Sequence, residues 1–161
     1  MRLAIAALLL LSGLPAAADP VEAAGDYRVC TPEASTAGRW VVKEACGTLA
    51  IPDFTGVEFQ STDELDAGRI LRDAFLREVE TYSACVSDFI TAWQQPGMPA
   101  DSEDPDKAAC AHSWAEDQAT EAVRGFGRAC VDFANRSVMD IRLKPYEGPC
   151  YPAADPDDAD S

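Results

Sequence analysis

A single histidine, His112, stands among the 161 residues of the chain. Multi-histidine zinc or copper sites are thereby excluded, and any Ser-His or Cys-His nucleophile pair would rest on that one side chain. No Cys-x-x-Cys occurs, so a thioredoxin-type redox motif and a haem c attachment sequence are both missing. No glycine-rich loop leads from a strand into a helix, which removes the usual phosphate cradle. Basic residues are scarce: 13 Lys and Arg face 28 Asp and Glu, for a formal net charge of −15. Such a field repels phosphate backbones and anionic lipid surfaces, which excludes nucleic acid as a partner and leaves cationic partners or divalent cations compatible. Past the first residues no apolar run approaches the roughly 18 residues that a membrane-spanning helix needs, so no membrane insertion of the mature form is expected.

What the chain does have is six cysteines, Cys30, Cys46, Cys85, Cys110, Cys130 and Cys150, all downstream of an apolar N-terminus. Arg2 supplies a positive start, Leu3 to Leu11 an apolar run, and Ala16-Ala17-Ala18 the small residues that signal peptidase reads before Asp19. Residues 1–18 therefore read as a signal peptide cleaved after Ala18, and the protein as periplasmic or secreted. An even cysteine count in an exported chain reads as a disulfide framework, because oxidising compartments let paired thiols persist. No cysteine sits at the end of the apolar run, so lipid attachment is not expected. Loss of the leader removes one arginine and no acid, taking the net charge to −16. The triplet Asn135-Arg136-Ser137 matches the glycosylation acceptor pattern and is expected to be silent in a bacterial exported protein.

The fold class is mainly α: an antiparallel two-helix hairpin stapled by disulfides, preceded by an irregular N-terminal segment with short β. Residues 19–150 form the one expected domain, and residues 151–161 an acidic tail, ending Asp155-Pro156-Asp157-Asp158-Ala159-Asp160-Ser161, with nothing to bury and expected to be disordered. In the N-terminal segment, Tyr27 to Cys30 and Arg39 to Ala45 read as strand-like pieces around a turn-prone Thr31 to Gly38. A further strand-like alternation runs over Met139-Asp140-Ile141-Arg142-Leu143. The first helix spans about 62–95. Ser61 with Glu64 forms a capping box at its start, and Leu71, Phe75, Val79, Tyr82, Val86, Phe89 and Trp93 form its apolar stripe. The second spans about 105–136, with Asp104 as N-cap and Pro105 at the first helical position. Its facing stripe is small: Ala115, Ala119, Ala122, Phe126, Ala129 and Phe133, with Gly125-Phe126-Gly127 a place where it could bend.

The hairpin geometry brings Cys85 and Cys110 to one level, because a turn between Gln95 and Asp104 makes facing indices add to about 199 and this pair gives 195. That pair is the expected staple. Of the three ways to join the remaining four, Cys30 to Cys46 with Cys130 to Cys150 gives short local loops, and Cys30 to Cys150 is the rival.

No catalytic or cofactor-binding residues are assigned. His112 reads as a helix-surface residue. Pairs such as Glu78 with Glu80 or Asp63 with Glu64 read as solvated carboxylates. The loop Asp101-Ser102-Glu103-Asp104-Pro105-Asp106 is rich in oxygens that suit calcium but lacks the spacing of an EF-hand, and reads first as a helix cap. Trp40, Trp93 and Trp114 read as core or loop anchors. The expectation is an exported, non-catalytic binding or structural accessory protein of the cell envelope whose partner is another envelope protein. A divalent-cation-binding role for the 101–106 loop, and a small hydrolase using acidic residues, are the alternatives.

Overall fold

The computed structural model describes residues 30–99 and 101–152. The leader with its cleavage point, the start of the strand-like piece at Tyr27 and the acidic tail from residue 153 lie outside the described residues. Three helices make the fold: α1 (Pro32–Cys46), α2 (Thr62–Trp93) and α3 (Asp104–Met139). Among the described residues there is no strand, and no helix is long and apolar enough to cross a membrane.

Helix α1 occupies the segment read from sequence as turn and strand. Thr31, in extended conformation, accepts a hydrogen bond on its hydroxyl from the Ala34 N–H at 3.2 Å, and Pro32 follows where a missing N–H costs nothing. Glu33 lies in the first turn and Lys43 in the last, each favourable to the helix dipole. Gly47 ends the helix at φ +75°, its N–H bonding the Lys43 carbonyl at 2.9 Å. The buried face, Ser35, Gly38 and Val42, is small. Small residues let α1 lie close on α3: a Cβ on Gly38 would run into the Lys107 carbonyl oxygen and stand 2.9 Å from the Ala111 nitrogen.

Helices α2 and α3 bury their stripes against each other. The capping box at Ser61 forms, the Glu64 N–H donating to the Ser61 hydroxyl at 3.2 Å while the Glu64 carboxylate accepts from the Gln60 N–H at 2.7 Å. The buried face of α2 is Leu65, Gly68, Arg72, Phe75, Val79, Tyr82 and Val86. Leu71, expected on that face, is 53% exposed, and Arg72, 3% exposed, takes the place beside it. The reason is phase: steps of three and four counted back from Phe75 fall on Arg72 and Gly68, and Gly68 makes room for Phe59 and Phe126. On α3 the expected small stripe is buried except at Ala119, which is only partly buried, and it extends to Ala108, Ala111, Cys130 and Ser137. The cap of α3 sits one residue earlier than expected, at Glu103, with the Ser102 hydroxyl accepting from the Asp104 N–H at 3.2 Å. Helix α3 continues through Gly125 and Gly127, which accommodate Phe54 and Tyr151 rather than a bend.

The connecting segments seal this core. Phe54 and Phe59 pack edge-on and tilted against the Phe126 ring, at 5.6 and 5.7 Å between centroids. The strand-like alternation at 139–143 is the last residue of α3 followed by a turn, closed by the Leu143 N–H on the Asp140 carbonyl at 2.9 Å. Tyr146 then packs on Phe133, and its N–H donates at 3.0 Å to the buried Ser137 hydroxyl, the third residue of the glycosylation-like triplet.

All six cysteines are paired, as Cys30–Cys110, Cys46–Cys85 and Cys130–Cys150. The expected staple Cys85–Cys110 is therefore corrected, as is Cys30–Cys46. As a helix α1 runs about 21 Å from Pro32 to Cys46, with Cys30 two residues ahead of its start, whereas a bridge allows only about 7 Å between Cα atoms. Each cysteine reaches a different long helix instead, with Cα atoms 5.4 and 5.6 Å apart in the two bridges. Cys85 and Cys110 are thus bonded to opposite ends of α1 rather than to each other. The short local loop Cys130–Cys150 ties the C-terminal segment to α3. Three disulfides suggest an oxidising environment, extracellular or periplasmic.

Candidate functional site

Where the end of α1 meets α2 and α3, the chain leaves a cleft of about 290 Å³. The helix contributes Arg39, Trp40 and Lys43, α2 contributes Tyr82, α3 contributes Trp114, and the segment after Gly47 contributes Leu49 and Ile51. Two covalent bridges fix this arrangement, since Cys46 at the last position of α1 is bonded to α2 and Cys30 ahead of its first turn is bonded to α3.

The cations in the cleft rest on aromatic faces. The Arg39 guanidinium lies 4.4 Å from the Trp114 ring centroid, and the Lys43 ammonium 4.9 Å from that of Trp40. Arg39 donates to the Thr36 hydroxyl at 3.2 Å, while its Nε is buried and makes no hydrogen bond. Neither cation has a carboxylate partner among the described residues, a state they share with Arg77, Arg128, Arg136 and Lys144, whereas Arg69, Arg72, Lys107, Arg124 and Arg142 each hold one within 3.3 Å. No Asp or Glu lines the cleft. Burial pushes the Tyr82 phenol above its ordinary value of 10.0, and the charge of nearby Arg39 opposes that rise. Trp40 is 70% exposed and Ile51 44%, so the rim of the cleft is apolar. Trp40 is thus not the core or loop anchor expected from sequence: it sits on the outer side of a helix, where its neighbour Lys43 covers one ring face.

The residues weighed from sequence sit elsewhere. His112 is half-buried on α3 with its Nδ1 3.6 Å from Glu116, four residues on. Trp93 ends α2 and tilts against Phe89 at 6.3 Å. Glu64 serves the α2 cap, and Glu78 lies with Arg77 on a shallow groove between α2 and the segment after Cys46. Lys107 pairs with Glu103 at 3.2 Å at the start of α3. Among the described residues, no three His, Cys, Asp or Glu side chains converge as a metal-binding group. Sequence reasoning missed Arg39 and Lys43 because it placed them on a strand. Residues four apart share a face in either conformation, but a strand would hold them about 13 Å apart, whereas a helix brings them within about 6 Å.

The one buried cation among the described residues is structural. Arg72 pairs with Asp73 at 2.6 Å, donates from Nη1 to the Cys150 carbonyl at 3.2 Å, and lies 4.5 Å over the Phe126 ring. It ties α2 to the C-terminal segment beside the Cys130–Cys150 bridge.

No protein-family model matches the chain, and comparison with curated proteins and with solved structures gives no significant match.

Proposed function

We propose that the chain is an exported, periplasmic or secreted, non-catalytic binding or structural accessory protein of the cell envelope. The observation that carries this reading is the cleft beside α1, where exposed Trp40 and Ile51 surround two cations that have no carboxylate partner among the described residues. Exposed apolar surface next to unsatisfied charge on a covalently fixed scaffold favours a contact face over a merely solvated one. The scaffold reading treats α2 and α3 as an antiparallel hairpin. Its support is that Phe126 meets Gly68 and Arg72 while α1 reaches both Cys85 and Cys110. The leader and the three bridges support export.

Affinity purification from the envelope fraction of the source cell tests the reading. The disulfide-bonded chain is expected to retain one protein in near-stoichiometric amount, and Trp40→Asp to lose it. Retention of nothing, or of the same protein by both, contradicts the proposal.

A further inference from the structure

Among the described residues, Arg69, Arg72, Lys107, Arg124 and Arg142 are held by carboxylates, while Arg39, Lys43, Arg77, Arg128, Arg136 and Lys144 form no ion pair. Of these six, Arg39 and Lys43 rest on indole faces side by side in one concave site. A guanidinium offers five donors in a planar fork. Arg39 uses one on Thr36 and keeps Nε buried without a partner. Resting a cation on an indole orients it and removes part of its water without neutralising it, which raises the return on a second, anionic neighbour.

The rest of the cleft restricts what that anion can be. A volume of about 290 Å³ lies at the small end for ligand sites and holds a group the size of one ring with its attachment. The exposed faces of Trp40 and Ile51 and the partly buried Leu49 call for an apolar body, and the Tyr82 phenol lies on the wall. A polyanion would meet the field of the whole negative chain beyond the cleft, whereas a single charge feels mainly the two cations within a Debye length of about 8 Å.

Resting on the binding reading above, we propose that the Arg39–Lys43 cleft binds a single carboxylate joined to a ring-sized apolar body. Arg39 and Lys43 take the carboxylate, and Trp40, Ile51 and Leu49 take the body. Two sources present this chemistry: a free small organic acid, and the C-terminal residue of a peptide ending in an aromatic side chain.

The experiment is a heteronuclear NMR titration of the oxidised chain with phenylacetate. Phenylacetate is expected to shift the Trp40 and Trp114 indole signals and the backbone amides of residues 39–49 saturably, with a dissociation constant of about millimolar or tighter, in keeping with a ligand of this size. Acetate and neutral 2-phenylethanol are each expected to bind at least tenfold more weakly, because each lacks one half of the recognised group. The double variant Arg39→Gln with Lys43→Gln is expected to lose at least tenfold in affinity. Its unchanged α2 and α3 amide spectrum shows that it is folded. The peptide acetyl-Ala-Ala-Phe and its C-terminal amide separate the sources. Tighter binding of the acid form than of phenylacetate assigns a peptide terminus, and weaker binding assigns a free acid. No saturable shift, equal binding by 2-phenylethanol, or unchanged affinity in the double variant overturns the proposal. If such a failure accompanies Trp40-dependent capture of an envelope protein, it removes this ligand class and leaves the binding reading standing.

Discussion

Gly38 and Ala111 meet where α1 crosses α3, so closely that a Cβ on Gly38 would stand 2.9 Å from the Ala111 nitrogen and overlap the Lys107 carbonyl oxygen. Backbone cannot yield as a flexible side chain can. Gly38→Ala is therefore expected to lower the unfolding free energy by about 1–3 kcal/mol, although alanine is the better helix former by about 1 kcal/mol. Urea unfolding of the two proteins measures it, and a stabilised variant would show that the helices do not cross at this point.

Arg72 joins three elements at once through Asp73, the Cys150 carbonyl and the Phe126 ring. Arg72→Ala is expected to cost about 2–4 kcal/mol, from a lost buried side chain and an unpaired carbonyl. Arg72→Met keeps much of the packing and should cost clearly less. Equal losses in the two variants would assign the whole effect to charge.

At the end of α3, Arg142 grips Asp140 through Nε at 2.9 Å and Nη2 at 2.6 Å, and its backbone N–H adds a third bond at 3.0 Å. These bonds, led by those of the side chain, lower the Asp140 carboxyl from 3.8 to about 2. Because the folded value is the lower one, the stabilisation is present above the unfolded value and is lost as pH falls through about 2. A carboxyl-detected NMR titration should place the Asp140 midpoint near 2, rising toward the ordinary carboxylate range in Arg142→Gln. An unchanged midpoint in the variant would remove the assigned cause.

Removing bridges one at a time, as paired serine substitutions, should cost about 3–5 kcal/mol each by the loop-entropy argument. The separations are 80 for Cys30–Cys110, 39 for Cys46–Cys85 and 20 for Cys130–Cys150, so the first should cost most. Thermal unfolding of the three double variants checks the order, and a largest loss at Cys130–Cys150 would reverse it.

The long helices were legible because their signals are strong: Ser61 with Glu64, Pro105 near a helix start, and large apolar residues at spacings of three and four. Helix α1 was equally well signalled at its ends by Thr31-Pro32 and Gly47, yet its interior misled. Its buried face is Ser35, Gly38 and Val42, residues that read as turn or strand because the apolar stripe of a helix is normally large. The small face exists because α1 lies against α3 backbone, a tertiary fact that composition does not carry. The same oversight moved the cysteine pairing, since without a third helix Cys85 had only Cys110 to face. It also hid the cleft, because Arg39 and Lys43 are close neighbours only on a helix. Leu71 and Arg72 show the complementary limit: pattern reading prefers the apolar neighbour, while phase and the room beside Gly68 put the arginine inside.

Disulfide mapping tests the central claim, that α1 is bonded to both long helices and so builds the cleft. Tryptic cleavage places the six cysteines in six separate peptides, 29–39, 44–69, 78–107, 108–124, 129–136 and 143–161. Digestion of the unreduced chain under denaturing, mildly acidic conditions should give 29–39 linked to 108–124, 44–69 linked to 78–107, and 129–136 linked to 143–161. Recovery of 78–107 linked to 108–124, or of 29–39 linked to 44–69, would contradict it, because neither bond can form while α1 is a helix spanning the two long ones.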